Sequence, residues 1–197
     1  MKMALALSSE AQDLLFREAR TANTFTDEPV GDEQMRAIYD LVKYAPTAMN
    51  QQPLRVLLVR GPEARERLVG LMSPGNRAKT AAAPLVAILA ADLDFHEELP
   101  KVFPHFAGAK DLFADEAARA QSARFNATLQ VGYFILGVRA AGLAAGPMAG
   151  YDAAGIDKEF FDGDHTVLAV VNIGRPGENA WFDRLPRLSY DEVVTTV

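Results

Sequence analysis

The chain contains no cysteine among its 197 residues. That single absence excludes disulfides, thiol nucleophiles, cysteine-ligated zinc and iron–sulfur clusters, and it fits a reducing, cytoplasmic setting. Basic residues are in deficit. Twenty Lys and Arg against 26 Asp and Glu leave a net charge of −6, which argues against nucleic acid as a partner, because phosphate backbones call for a basic face. Long apolar runs are missing too. The longest, "AAAPLVAILAA" (81–91), contains Pro84 and falls far short of the ~20 residues that cross a membrane. No GxGxxG follows a strand, and neither GxxxxGK[ST] nor GxSxG occurs. A Rossmann dinucleotide site, a P-loop and a serine nucleophile elbow therefore have no support. Histidine is limited to His96, His105 and His165. The stretch "DFHEE" (94–98) matches no standard metal spacing, so no metal site is expected, and His105 beside Pro104 and Phe106 reads equally as a pocket or a loop residue.

What is present is the material of a folded domain. With 49% hydrophobic and 23% charged residues, no linker and no repeat, residues 1–197 read as one domain with a sizeable core. "MKMALALSSEAQDLLFREA" reads as a short tail leading into a helix over 10–19 capped by Ser9, not as a signal peptide. Asp32 is expected to cap a helix over 33–44, where Met35, Ile38, Leu41 and Val42 recur at helical spacing. Strands are expected at 54–60, 84–91 and 166–174, and a helix at 62–72 opens on Pro62. Residues 92–114 have no clear period. Residues 115–142 form a long helix, acidic at its start, basic at its end and stopped by Gly142. Its small residues, from Ala117 to Ala141, suit either a central core helix or one packed across a twofold interface. The tail after Arg175 is rich in proline and arginine, then strand-like. The fold class is α/β (α+β), a central mixed sheet flanked by helices.

Four stretches share one chemistry. "YAPTAMNQQPLRV" (44–56) crowds three uncharged amides, Asn50, Gln51 and Gln52, between a helix and a strand. "ARTANTF" (19–25) sets Arg20, Thr21 and Asn23 just after a helix. "GPMAGYD" (146–152) is a glycine turn where backbone can approach a ligand closely. "RLPRLSYDEVV" (184–194) places Arg184 and Arg187 around a proline. Each has an ordinary explanation: a turn, a helix end or a solvated tail. Together they are the parts for an aromatic, phosphorylated ligand, with arginines for phosphate and amides for a heteroaromatic edge.

In order and spacing the four stretches resemble the nitroreductase family of flavin enzymes, over essentially the whole chain. "YAPTAMNQQPLRV" is similar to the family's AP[ST]-x-x-N-x-QPW, "ARTANTF" lies where the family has RRSxRxF, "GPMAGYD" resembles GxPxxGFD and "RLPRLSYDEVV" resembles KPRKPLEEVV. "SPGNRAKT", "VFPHF" and "RLPRLSYDE" look closest to the branch named for the malonic semialdehyde reductase of pyrimidine catabolism.

The resemblance implies an intertwined homodimer that binds FMN at each end of its interface and uses NAD(P)H as co-substrate. Hydride passes by way of flavin N5 to a small acceptor in ping-pong order. By the same resemblance Arg20, Thr21 and Asn23 contact the phosphate, ribityl chain or pyrimidine edge. Thr47, Asn50 and Gln52 reach the flavin from the other subunit. Ala149 and Gly150 bring backbone N–H near N5, and Arg187 with Arg184 binds the phosphate. No catalytic side chain is implied beyond this. The chain departs from the pattern at Ala19 and Asn23, which reduce the positive charge, and at Leu54, which replaces a tryptophan. Malonic semialdehyde is the acceptor the branch suggests; nitroaromatics or quinones are the alternative. A flavin-binding protein without turnover and a protein whose amides merely cap turns are the readings from other classes.

Overall fold

The computed structural model describes residues 5–197; the start of the N-terminal tail, residues 1–4, lies outside them. Four strands form one sheet: β1 (Leu54–Val59), β2 (Leu85–Asp92), β3 (Ala144–Met148) and β4 (His165–Gly174), in the order β1-β2-β4-β3. Every neighbouring pair is antiparallel, so the sheet within the chain is not the mixed one expected. No connection is a right-handed crossover between adjacent parallel strands, and the helices are inserted between antiparallel neighbours instead. β2 is buried along its whole length, which is why "LVAILAAD" reads as a continuous apolar run and not an alternating one.

Helices cover both faces of the sheet. On one, Met35 and Ile38 of α2 (Asp32–Val42) and Phe134 and Val138 of α6 (Glu116–Ala140) pack on Leu85, Ala87, Leu89 and Val171. On the other, Leu68 of α3 (Pro62–Leu71) and Ile156 of α7 (Ala153–Phe160) pack on Val86, Ile88 and Val170, with α4 (Pro74–Ala82) alongside. The close crossing of α2 and α6 depends on Gly137, where a Cβ would lie 2.3 Å from Val42 Cγ1. Ala123 and Ala127 are buried under the irregular 93–114 segment, which contains the single-turn α5 (Leu99–Val102). Part of the small-residue pattern of α6 therefore serves the core. Its remaining face carries Phe125, Leu129, Gly132 and Tyr133, all exposed in the single chain.

Several boundaries differ from expectation. Ser8, not Ser9, caps the first helix, with its Oγ accepting from Ala11 N; α1 (Ser9–Gln12) then widens into a π-turn at Asp13–Arg17. Asp32 is the first residue of α2 and not its cap; the cap position is Gly31, whose N–H donates to the Gln34 side chain. β3 was expected as a turn, because Gly146 and Pro147 weaken strand propensity; Pro147 is tolerated because β3 is an edge strand. Helix α4 went unread since "PGNRAKTAA" buries only Thr80 and has no apolar period. The tail forms no strand: Ser189 and Glu192 make a capping box for the short α8 (Tyr190–Val193).

Candidate functional site

The amide segment begins where α2 runs into Pro46. Met49, Asn50 and Gln52 have φ of 51°, 52° and 47°, the left-handed region that residues with a Cβ seldom enter. The loop closes on itself, with Gln52 N donating to Thr47 Oγ1 at 3.2 Å. Its other anchors come from one stripe of α6. Asn126 Oδ1 accepts from Ala48 N at 2.8 Å, Asn126 Nδ2 and Ser122 Oγ both donate to Gln51 Oε1 at 3.0 Å, and Gln130 Oε1 accepts from Leu54 N at 2.9 Å. Positions 122, 126 and 130 are successive i, i+4 neighbours, so they share one face, and Phe134 and Val138 continue that face into the core. Gln51 is thereby a buried structural amide. Asn50 stays exposed and donates through Nδ2 to Val102 O at 2.8 Å, while its Oδ1 accepts no hydrogen bond among the described residues. Arg55 donates to Gln52 O and pairs with Asp92 at 2.5 Å, completing the grip. Beside the loop, a groove of about 800 Å³ runs along the free edge of β1, between α2 and α5, lined by Tyr39, Gln52, Leu54, Val56 and Val102 among others.

The remaining candidates lie at the other edge of the sheet. Residues 20–26 run antiparallel to 175–182: Asn23 N donates to Ala180 O, Thr26 N to Arg175 O and Arg20 Nη1 to Phe182 O at 3.0 Å. Arg184 returns to Arg17 O, so Arg20 and Arg184 strap the first helix to the tail. Thr21 is exposed on this strap. Arg187 does not join it; its guanidinium donates only to Leu185 O and Pro186 O nearby. The strap packs on β3, where a Cβ at Gly146 would fall 2.9 Å from Ala22 O. β3 leads directly into exposed Ala149 and then Gly150. Gly150 O accepts from Ser73 N at 3.0 Å and from Asn76 Nδ2 at 2.9 Å, and a Cβ on Gly150 would meet Asn76 Nδ2 at 2.7 Å.

Ser73 and Asn76 were not singled out from the sequence. They lie within "SPGNRAKT", but their role is a contact with the Gly150 turn that only the fold creates. Half-buried Lys79, one turn beyond Asn76, has no acidic partner among the described residues. Arg77 is spent on Met72 O and Gly70 O at the end of α3. Tyr151, following Gly150, has its phenol pushed up by burial and then by Asp157. Among the described residues no group of three or more His, Cys, Asp or Glu is arranged to hold a metal, and no helix is long and apolar enough to cross a membrane.

The ten candidates thus form two sets. Thr47, Asn50 and Gln52 precede β1, while Arg20, Thr21, Asn23, Ala149, Gly150 and Arg184 surround β3, with Arg187 further along the tail. Three strand spacings, roughly 14 Å, separate β1 from β3, so the two sets lie at opposite edges of the sheet.

Residues 16–175 match the Nitroreductase family. A proposed NADH dehydrogenase/NAD(P)H nitroreductase of Streptomyces griseus is 71% identical over 196 residues, covering 99% of this chain and 100% of that one. A protein of the same description from Leptothrix cholodnii is 49% identical over 191 residues, covering 96% and 97%. Among solved structures, a proposed nitroreductase of Bacillus subtilis superposes with a TM-score of 0.83 at 22% identity, covering 96% of this chain and 99% of its own. One from Exiguobacterium sibiricum, solved in complex with FMN, gives 0.83 at 17% identity, covering 98% and 100%. The chain belongs to the nitroreductase family.

Proposed function

We propose that the protein is an FMN-dependent NAD(P)H oxidoreductase working as a homodimer, each site combining the β3 edge of one subunit with the 47–52 loop of its partner. The observation that carries this reading is the division of the candidate residues between opposite sheet edges. Two further features support a twofold assembly. The tail from Trp181 onward is exposed and exposes apolar residues, among them Leu188, Tyr190, Val193 and Val194. β1 offers a free edge with a groove beside it. We assign that groove to the partner's tail and the exposed stripe of α6 to its counterpart across the axis. An obligate contact of this kind buries upward of ~2,000 Å².

The residues present fit an anionic heteroaromatic cofactor. Arg20, Arg184 and Arg187 supply forked donors for a phosphate. Thr21 and Asn23 offer donors and acceptors for a polyol chain or ring edge. The Gly150 turn sits tight against Asn76 and Ser73 only because it lacks a Cβ, which leaves its backbone open to a flat ring. When bound, FMN supplies a two-electron relay that accepts hydride from NAD(P)H and passes it to an acceptor. The chain's own work is to position and to stabilise charge. Asn76 and Ser73 fix the Gly150 carbonyl, which orients the adjoining backbone N–H groups. Thr47, Gln52 and the Oδ1 of Asn50 meet the ring from the partner.

The acceptor is a small electron-poor molecule, a nitroaromatic or quinone, in keeping with the descriptions of the Streptomyces and Leptothrix relatives. Malonic semialdehyde is the second reading, suggested by the branch resemblance of "SPGNRAKT" and "RLPRLSYDE". The test is an absorbance spectrum of purified protein followed by anaerobic titration with NADH and NADPH. A flavin spectrum that bleaches and recovers on adding a nitroaromatic, a quinone or malonic semialdehyde is expected, and the recovering acceptor identifies itself. Colourless protein that takes up no FMN refutes the reading. A bound flavin that neither nicotinamide bleaches makes it a binding protein instead.

A further inference from the structure

We propose that Asn126, on the buried face of α6, is a positioning residue that shapes the 47–52 loop and thereby presents Thr47 and Asn50 to the cofactor; this rests on the flavin reading above. The loop's own sequence does not account for its shape. It contains no glycine, yet Met49, Asn50 and Gln52 are all left-handed. Such conformations persist where surrounding structure over-determines them. Here the surroundings converge on one side chain. Asn126, 2% exposed, accepts from Ala48 N at 2.8 Å through Oδ1. Through Nδ2 it donates to Gln51 Oε1 at 3.0 Å and to Ser122 O at 2.9 Å. A single amide therefore uses both its acceptor and its donors, and it holds the loop at two points three residues apart.

Between those points lie Met49 and Asn50. Met49 packs against the cluster that holds Ala123 and Ala127 of α6, while Asn50, left-handed like Met49, keeps its side chain exposed. There its Nδ2 reaches Val102 O and its Oδ1 is left free. Ser122 Oγ supports the same Gln51 oxygen at 3.0 Å but makes no bond to the loop backbone. Asn126 is the side chain that touches both the loop's backbone and its buried amide. It contacts no candidate ligand surface itself, so its influence on the cofactor passes through the loop.

The test uses the full-length dimer and three variants. Asn126→Leu keeps the volume and removes every polar contact. Asn126→Asp keeps the acceptor for Ala48 N. Val138→Ala, in the core further along α6, lowers stability without touching the loop. For Asn126→Leu the FMN dissociation constant is expected to rise about tenfold, the scale of a lost hydrogen-bonding arrangement, and the flavin midpoint potential to move. Amide exchange at Ala48 in FMN-free protein should accelerate as well. Val138→Ala should lower Tm with neither binding nor potential changed, and Asn126→Asp should recover part of the affinity. Parental affinity and potential in Asn126→Leu, or equal shifts in Val138→Ala, overturn the proposal. If Asn126→Leu does not fold, Asn126→Ala, which removes the same polar contacts, decides in its place, and parental values of affinity, potential and Ala48 exchange overturn the proposal. A parent that binds no FMN breaks the flavin reading instead, and Ala48 exchange then still reports whether Asn126 shapes the loop.

Discussion

The 47–52 loop and the tail beyond Gly174 carry opposite halves of the candidate site and are built on opposite plans. The loop is strained and tightly held: three left-handed residues are clamped by Ser122, Asn126, Gln130 and Arg55. The tail is relaxed and loosely held. After the strap to residues 17–26, every residue from Trp181 to Val197 is exposed, many of them apolar. A polar loop thus has its order built into the subunit, whereas an apolar tail has its burial deferred to assembly. Deleting residues 188–197 breaks this comparison most severely. Burying Leu188, Tyr190, Val193 and Val194 at about 1.5 kcal/mol or more each is worth upward of roughly 5 kcal/mol. The truncated chain is expected to scatter light as a monomer at micromolar concentration and to lose FMN on dialysis. A dimer that survives the truncation removes the tail from the interface.

The arginines sharpen the contrast at smaller scale. Arg20→Ala and Arg187→Ala are each expected to weaken FMN binding by ~1.5–3 kcal/mol, the range for hydrogen bonds to charged groups. They should differ without the cofactor. Arg20 already donates to Phe182 O, so its loss loosens the strap and lowers the Tm of FMN-free protein. Arg187 bonds only to carbonyls one and two residues away, so its loss should leave that Tm alone. Retention of FMN by both variants through dialysis would reject the phosphate assignment.

Glycines give the next comparison, because two of them face opposite situations. At Gly150 a Cβ would press on Asn76 Nδ2 at 2.7 Å and on Ser73 Oγ at 3.2 Å. Gly150→Ala should cost about 1–3 kcal/mol of stability, as overpacking does, and should narrow the turn enough to impair FMN uptake. At Gly132, on the exposed face of α6, a Cβ meets nothing within the chain. Helix propensity alone predicts that Gly132→Ala stabilises by up to ~1 kcal/mol. If α6 packs against its symmetry mate there, the substitution instead weakens the dimer, so the sign of its effect on dimer dissociation separates an interface from a free surface.

How much of this was legible follows from where each signal resides. β2, β4 and α6 announce themselves, because burial on two faces demands an unbroken apolar run and a long capped helix shows its polarity. β3 and α4 do not, since Gly146–Pro147 and Pro74–Gly75 speak locally for turns and only pairing with β4 or contact with Gly150 overrules them. The site divides similarly. Arg20, Asn50 and Gly150 stand in segments whose residue types suggest their chemistry, but Asn76 and Asn126 act through contacts 74 to 78 residues distant in sequence. Gln51, one of three adjacent amides in the sequence, is 2% exposed, whereas Asn50 is exposed. Composition cannot tell a buried amide from a presented one, because that depends on which side of a left-handed turn it leaves the chain.

Asn50 carries the smallest expected effect and the finest distinction. Its amide had suggested a donor for the ring edge, but that donor is committed to Val102 O at 2.8 Å. What it can offer the partner's cofactor is its oxygen, which suits a ring N–H. Asn50→Ala removes both contacts and puts alanine in a left-handed conformation that asparagine tolerates better. A stability loss of about 1–2 kcal/mol follows from the strain and one hydrogen bond. Asn50→Asp keeps the oxygen, loses the donor to Val102 and brings negative charge toward the ring. A carboxylate there opposes the added charge of the reduced cofactor, so the midpoint potential should fall in Asn50→Asp but not in Asn50→Ala. A residue that only caps the loop against Val102 predicts a lower Tm in both variants and one unchanged potential. Measuring Tm and potential on the pair therefore decides whether the exposed side of this loop touches the cofactor, and an unchanged potential in Asn50→Asp at full FMN occupancy would take Asn50 out of the site.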